Sequence, residues 1–208
     1  EMCIRDRTYG IDWARIEAAI SPRTRLLILN SPHNPTGMVM NESDIQALQA
    51  LCRKYDLYLI GDEVYEHMVF DQAKHLSLCA YEELYARSFV ISSFGKTYHV
   101  TGWKVGYCVA PPSLTTEFRR VHQYVTFTVN TPVQLGIADF LRQQPEHHRQ
   151  LPGFYQAKRD LFCELLAGSR FAIAPSQGTY FQLLGYADIT SEVDSALATR
   201  LTREHGIA

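Results

Sequence analysis

The segment SSFGKTYHVTGWKVGY, residues 92–107, decides the interpretation of this 208-residue sequence. It follows the apolar run Phe89–Ser92, which is typical of a buried strand, and it places Lys96 just beyond the end of that strand. The next apolar run, Gly106–Ala110, comes too soon for a helical crossover. We therefore predict that these two strands pair antiparallel, with the lysine in the connection between them.

Upstream of this segment, two further apolar runs, Thr24–Asn30 and Leu57–Gly61, have the character of buried parallel strands. The loop SPHNPTG (31–37) leaves the first of them, and a helix capped by Asn41 or Ser43 extends to about Tyr55. Its predicted inner stripe is Ile45, Leu48, Leu51 and Cys52. Strands that alternate with helices predict an α/β fold with a mostly parallel sheet flanked by helices.

Downstream, helical patterns dominate, at about 113–128, 132–143 and 147–167, with His147 and His148 expected on a solvated helix face. After Gly168 the pattern changes to strands over 171–174 and 179–184 and a helix near 192–204. This change predicts a large domain with its connecting helix over 8–167, and the beginning of a small α+β domain over 168–208. Residues 1–7 resemble neither a signal nor a transit peptide, so we interpret them as a possible non-native leader.

The overall composition excludes several classes of protein. Lys and Arg total 20 against 22 Asp and Glu, so no basic excess favours nucleic acid. No apolar run reaches the roughly 20 residues that span a bilayer. The five cysteines are odd in number and lack zinc-like spacing, which predicts free thiols in the cytoplasm and no metal site.

Polar residues cluster where the predicted strands end. Asn34 follows the first strand, Asp62 the second, and Ser93 and Lys96 the third. Because ligands of open α/β sheets bind outside the carboxyl ends of the strands, we expect these side chains at one rim. A lysine beside an aspartate suits Schiff-base chemistry, and pyridoxal 5′-phosphate is the carbonyl cofactor that acts as an electron sink.

Each part of that cofactor has a candidate partner in the sequence. Asp62 would pair with the ring nitrogen, and Tyr65 and Asn34 would donate hydrogen bonds to the phenolic oxygen. Ser93 and Lys104 would hold the phosphate. Lys96 would form the Schiff base and later shuttle a proton. The predicted catalytic residues are therefore Lys96, Asp62 and Tyr65.

Three motifs, NSPHNPTG (30–37), GDEVYEH (61–67) and SSFGKTYHVTGWKVGY (92–107), resemble those of the class I/II aminotransferases of the fold-type I pyridoxal-phosphate superfamily. The separations of Asp62 from Tyr65 and of Ser93 from Lys96 match that family, as does the basic residue Lys104 eight positions after Lys96. A lysine at that last position is similar to the kynurenine and methionine aminotransferase branch.

The resemblance implies a transaminase that moves an amino group between an amino acid and a 2-oxo acid, with methionine favoured and aromatic amino acids also accepted. It implies a homodimer, with Tyr124 and Phe127 near its interface, and a cis peptide bond at Asn34–Pro35. Family members are about twice as long, so we expect a fragment that is inactive alone and exposes an apolar sheet face and an unpaired strand edge.

Alternatives remain open at this stage. The cofactor residues would serve a pyridoxal-phosphate-dependent C–S β-lyase equally well, and a truncated chain could be a non-catalytic fragment. A nucleotide-binding P-loop fails, because that motif needs a glycine five residues before Gly95 and the sequence has Val90.

Overall fold

The computed structural model describes residues 9–207, so the predicted leader over 1–7 lies outside the described residues. Its larger sheet has four strands, β1 (Leu26–Asn30), β2 (Tyr58–Asp62), β3 (Ser88–Ser93) and β4 (Gly106–Val109), in that order. The first three run parallel and β4 pairs antiparallel with β3. The predicted α/β fold and the predicted antiparallel pair are confirmed.

The described residues, 9–207, contain eight α-helices. In chain order they are α1 (Trp13–Ala19), α2 (Glu42–Tyr55), α3 (Glu82–Tyr85), α4 (Phe94–Thr97), α5 (Pro112–Val125), α6 (Thr131–Gln143), α7 (His147–Leu165) and α8 (Asp194–His205). Helix α2 begins at the predicted Asn41 cap, whose side chain accepts hydrogen bonds from the amides of Ser43 and Asp44. No helix among residues 9–207 is long and apolar enough to cross a membrane.

The core lies between α2 and one face of the sheet. The predicted stripe of α2 is buried as expected, and its Ile45, Leu48 and Cys52 pack in one cluster with Leu59 and Val90 of the strands. Alternate strand residues point to opposite faces, so the same strands present a second row of side chains on the other side.

That other face is open, which differs from the prediction of fully buried strands. Ile28 in β1 is 71 % exposed, and Leu26, Tyr58 and Ile91 are also exposed. An apolar run predicts a strand with both faces suited to burial, but the described residues cover only one of the two faces. The predicted exposed apolar face is confirmed, and β1 lies at the edge of the sheet.

The segment after Gly168 contains a second, two-stranded antiparallel sheet of β5 (Ala172–Ile173) and β6 (Leu184–Gly185). The strand predicted over 179–184 is therefore wrong for all but its last residue. Backbone groups of this segment bond to the turn after β2 instead: the Thr179 amide donates to the Met68 carbonyl at 2.8 Å, and Gln177 accepts from Phe70 at 2.8 Å. These bonds lay residues 177–180 across the carboxyl end of the sheet.

Candidate active site

The ends of β1 and β2 are joined by Asn30. Its side-chain amide donates to the backbone carbonyl of Asp62 at 2.9 Å, and its side-chain oxygen accepts from the backbone amide of Asn34 at 2.7 Å. One residue thus fixes the loop that carries Asn34 relative to the strand end that carries Asp62. The predicted cis peptide bond at Asn34–Pro35 is confirmed, and Ser31–Pro32 is also cis.

Asp62 is the last residue of β2 and is half-buried. Its Oδ1 accepts the Val64 amide at 3.2 Å. Among residues 9–207 its second oxygen, Oδ2, accepts no hydrogen bond, so one carboxylate oxygen remains available for a ligand. An acceptor of this kind suits a protonated ring nitrogen.

Tyr65 lies in the turn that follows Asp62 and is 2 % exposed. Burial raises the pKa of its phenol, and the neighbouring Tyr180 hydroxyl and the negative charge of Asp62 act in the same direction, while the Asn34 side chain opposes them. The hydroxyl therefore stays protonated at neutral pH. Two other predicted residues, Asn34 and Asp62, therefore lie close enough to influence the phenol of Tyr65.

Lys96 projects from the short helix α4, which directly follows β3. Its Nζ lies over the ring of Tyr180, 5.6 Å from the ring centroid, and the Tyr180 hydroxyl approaches that of Tyr65 at 3.5 Å. Tyr180 thus connects the lysine to the group around Tyr65. Gly95 is required beside it, because a Cβ there would lie 2.9 Å from Cα of Thr101.

The two predicted phosphate ligands lie on either side of Lys96 in the sequence. Ser93 caps α4: its hydroxyl accepts the Gly95 amide at 3.0 Å and donates to the Val105 carbonyl at 3.3 Å. Lys104 is exposed in a left-handed conformation after the turn at 101–103. Within the described part of the chain, neither residue hydrogen-bonds to Asn34, Asp62, Tyr65 or Lys96.

These side chains match the chemistry of pyridoxal phosphate at its ring end. An available carboxylate oxygen, a protonated phenol, an amide side chain and a primary amine stand at the carboxyl ends of neighbouring strands. For the phosphate end, the described residues offer Ser93 and Lys104, whose hydroxyl and ammonium groups are suitable donors. The residues present therefore fit the cofactor, with the ring end the more complete.

Two residues that help to build the site were not among the predicted site residues. Asn30 was assigned only to a strand, although the NSPHNPTG motif contains it. Tyr180 is 84 residues after Lys96, and it reaches the site through the backbone bonds of residues 177–179. No local signal links Tyr180 to the three motifs, since that contact depends on tertiary packing.

The prediction that His147 and His148 lie on a solvated helix face is wrong. Both are half-buried, and the Nε2 of His147 donates to the Thr97 carbonyl at 3.1 Å while its ring stacks on Tyr98. His148 packs against His67, with ring centroids 4.9 Å apart. The start of α7 therefore supports the helix that carries Lys96.

The profile of the family "Aminotransferase class I and II" matches residues 2–208. The methionine aminotransferase of Escherichia coli is 48 % identical over 207 residues, covering 100 % of this chain and 54 % of the relative. Kynurenine–oxoglutarate transaminase of Dictyostelium discoideum is 35 % identical over 93 % of this chain and 46 % of the relative. The chain spans about half the length of the curated relatives it matches.

Solved structures agree with this similarity. The E. coli protein reported to have a methionine aminotransferase function superposes with a TM-score of 0.92 at 49 % identity, covering 97 % of this chain and 53 % of the other. The N-succinyldiaminopimelate aminotransferase of Mycobacterium tuberculosis gives a TM-score of 0.91 at 33 % identity, over 98 % and 53 % of the two chains.

Proposed function

This chain belongs to the class I and II aminotransferase family, and from that premise we propose that it forms the lysine-bearing part of a pyridoxal-phosphate-dependent transaminase. The reaction would exchange an amino group between an amino acid and a 2-oxo acid. We propose methionine as the favoured donor, with aromatic amino acids also accepted, because relatives named for methionine and for kynurenine are 48 % and 35 % identical to this chain.

The observation that carries the proposal is the placement of Asn34, Asp62 and Tyr65 at the strand ends, where Asn30 bonds to the backbone of both Asn34 and Asp62, and Tyr180 links Lys96 to Tyr65. Each side chain has the charge or hydrogen-bonding role that one atom of the cofactor requires. A lysine alone, or an aspartate alone, would not be distinguishable from the charged residues that most protein surfaces carry.

Each residue has a defined task in the proposed reaction. When bound, pyridoxal phosphate supplies a carbonyl carbon and an electron-withdrawing ring. The Asp62 carboxylate holds a proton on the ring nitrogen by its negative charge. Tyr65 and Asn34 donate hydrogen bonds to an anionic oxygen. Lys96 supplies a primary amine and, when that amine is free, a base at Nζ that accepts and returns a proton.

We propose that the whole protein works as a homodimer, on the family resemblance and on the exposed apolar residues around the end of α5. Tyr124 is 86 % exposed, Val125 79 % and Phe127 77 %. Large apolar side chains grouped in this way are typical of a surface that another chain covers.

Phosphate binding is proposed for Ser93 and Lys104 on the same family spacing.

The direct test is an assay of the protein at its natural length with methionine and a series of 2-oxo acids. A transaminase forms the 2-oxo acid of methionine in amounts equal to the new amino acid, and only when an acceptor is present. Release of ammonia and a thiol from an S-alkylcysteine, without any need for an acceptor, would instead identify a C–S β-lyase. Matched assays of Lys96→Ala and Lys54→Ala distinguish the loss of the site amine from the effect of removing any lysine. Lys54 is the control because it pairs with Glu17 on α1.

A further inference from the structure

Glu63 is a carboxylate buried directly behind the proposed site. It follows Asp62 at the end of β2 and is only 4 % exposed, and its backbone amide donates to the Ile91 carbonyl at 2.9 Å, which continues the pairing with β3. Because neighbouring residues of an extended strand point to opposite faces, Asp62 faces the site while Glu63 points beneath it. A buried carboxylate is costly unless it is fully hydrogen-bonded, so its partners are informative.

Those partners come from the segment 75–78. Oε2 of Glu63 accepts from Nε2 of His75 at 2.8 Å, and Oε1 accepts the Leu78 amide at 2.9 Å. The His75 side chain is 10 % exposed, and its Nδ1 is buried without a hydrogen-bond partner among residues 9–207. Gly61 allows this close fit, since a Cβ there would lie 2.8 Å from Cδ1 of Leu78.

A second glutamate fixes the other end of the same turn. Oε1 of Glu66 accepts from the Ser92 hydroxyl at 2.8 Å and from the Tyr107 hydroxyl at 2.7 Å. Ligand-type atoms of Glu63, Glu66 and His75 lie within 4.8 Å of one another, but Glu63 and His75 bond to each other, and Glu66 is bonded to β3 and β4. These three side chains therefore hold the turn in place, and they do not form an open metal site.

We propose that Glu63 and His75 are positioning residues that set the orientation of the Asp62 carboxylate. The link is the backbone of the turn: Oδ1 of Asp62 is held by the Val64 amide, on the far side of Glu63. If Glu63 loses its bonds to the 75–78 segment, the turn moves and the Asp62–Val64 bond weakens. This inference rests on the proposed function for the role of Asp62, whereas the geometry it invokes exists without cofactor.

The first test therefore uses cofactor-free protein at its natural length. Glu63→Met keeps the side-chain volume and the Glu66 anchor but removes the bonds to His75 and Leu78. We expect amide hydrogen exchange at Leu78 and at Val64 to accelerate about tenfold or more. Glu63→Gln retains an oxygen for Leu78 and should stay within about threefold of wild type at both amides. Glu83→Met, which breaks an exposed pair with Arg53, should change neither.

The second test uses protein loaded with pyridoxal phosphate. Glu63→Met should shift the visible absorption of the bound cofactor in the same direction as Asp62→Asn, though less, and should lower kcat more than it raises KM. Faster exchange at Leu78 with no change at Val64 would overturn the proposal, as would an unshifted spectrum in Glu63→Met. A wild-type protein that binds no cofactor would refute the proposed function, and the exchange experiment would still decide the role of Glu63.

Discussion

At the scale of single residues, Tyr65 shows how burial adjusts chemistry. Its phenol is nearly enclosed, and that enclosure is the main reason why its pKa lies above the ordinary range. A phenol that stays protonated can donate a hydrogen bond throughout the neutral range, which is the property that an oxygen-binding partner needs. The same burial acts on histidine in the opposite direction, because for histidine the charged form is the protonated one.

His67 provides a prediction about pH. Burial is the main cause that lowers its pKa; His148 and His75 add to this effect and Glu66 opposes it. The folded state then binds fewer protons than the unfolded state, so stability present above the ordinary histidine pKa is lost as pH falls. We expect the urea midpoint to drop between about pH 7.5 and pH 5.5, and to drop less in His67→Gln.

His205→Gln is the matched control, because His205 is exposed at the end of α8. It should reproduce the wild-type pH dependence. An equal loss of stability on acidification in wild type and His67→Gln would show that His67 does not contribute to it.

Individual residues also show which parts of the candidate site can be predicted from the sequence. The positions of Lys96, Asp62 and Tyr65 at or just beyond the strand ends could be predicted, because motif spacing and strand ends are local properties. Asn30 and Tyr180 could not, because their importance comes from bonds to residues far away in the chain. His147 was misinterpreted for the same reason: periodicity places a histidine on a helix face but does not reveal that Thr97 offers it a carbonyl.

At the scale of elements, Arg159 joins α7 to the segment after β2. The arginine is 9 % exposed, and its guanidinium donates to both oxygens of Asp71 and to the Ser176 carbonyl. Hydrogen bonds and charge hold the pKa of Asp71 below its usual range and raise that of Arg159. This pair also ties residue 176 to the surface that positions Tyr180.

We predict that Asp71→Ala lowers the free energy of unfolding by about 1.5–3 kcal/mol, the usual range for hydrogen bonds to charged groups. The physical reason is that a nearly buried guanidinium loses the carboxylate that bonds to it through both oxygens and keeps, among the described residues, only the ion pair with Asp160. Chemical denaturation measures the change. Asp139→Ala removes an exposed pair with Arg142 within α6 and should cost only about 0.3–0.5 kcal/mol. Equal effects of the two substitutions would contradict the role given to Arg159.

Elements were predicted from the sequence to different degrees. The four strands of the large sheet and the capped helix α2 follow from apolar runs and from the Asn41 cap. The strand expected over 179–184 did not form as predicted, and its first residue, Thr179, donates its amide to the Met68 carbonyl in the turn after β2 instead of to a neighbouring strand. Apolar alternation cannot distinguish these two partners for the same amides.

At the scale of the whole molecule, the dominant feature is the open face of the sheet. Leu26 pairs with Tyr58 and Ile28 with Ile60 along the edge strand, and three of these four side chains are exposed. Within residues 9–207, β1 has no strand on its outer side, and an apolar face beside such an edge is a site for association with another chain. We therefore expect residues 1–208, purified alone, to bind a hydrophobic dye and to self-associate.

Ile28→Lys should reduce both dye binding and self-association, because it places a charge on this face at the middle of the edge strand β1, where the native side chain is 71 % exposed. Val193→Lys is the control, since Val193 is 67 % exposed and lies before α8. Dye fluorescence and sedimentation velocity measure the two properties. A monodisperse wild-type chain without dye binding would mean that this face does not govern association.

The most important proposal is that Lys96 carries the cofactor. Its most direct test is to add pyridoxal phosphate to the protein at its natural length, reduce with borohydride, digest, and locate the pyridoxyl group by mass spectrometry. We predict the label on Lys96, its loss in Lys96→Ala, and no change in Lys158→Ala, in which the replaced amine lies 4.7 Å from the Phe154 ring centroid. A label on another lysine, or a reducible adduct that persists in Lys96→Ala, would contradict the account.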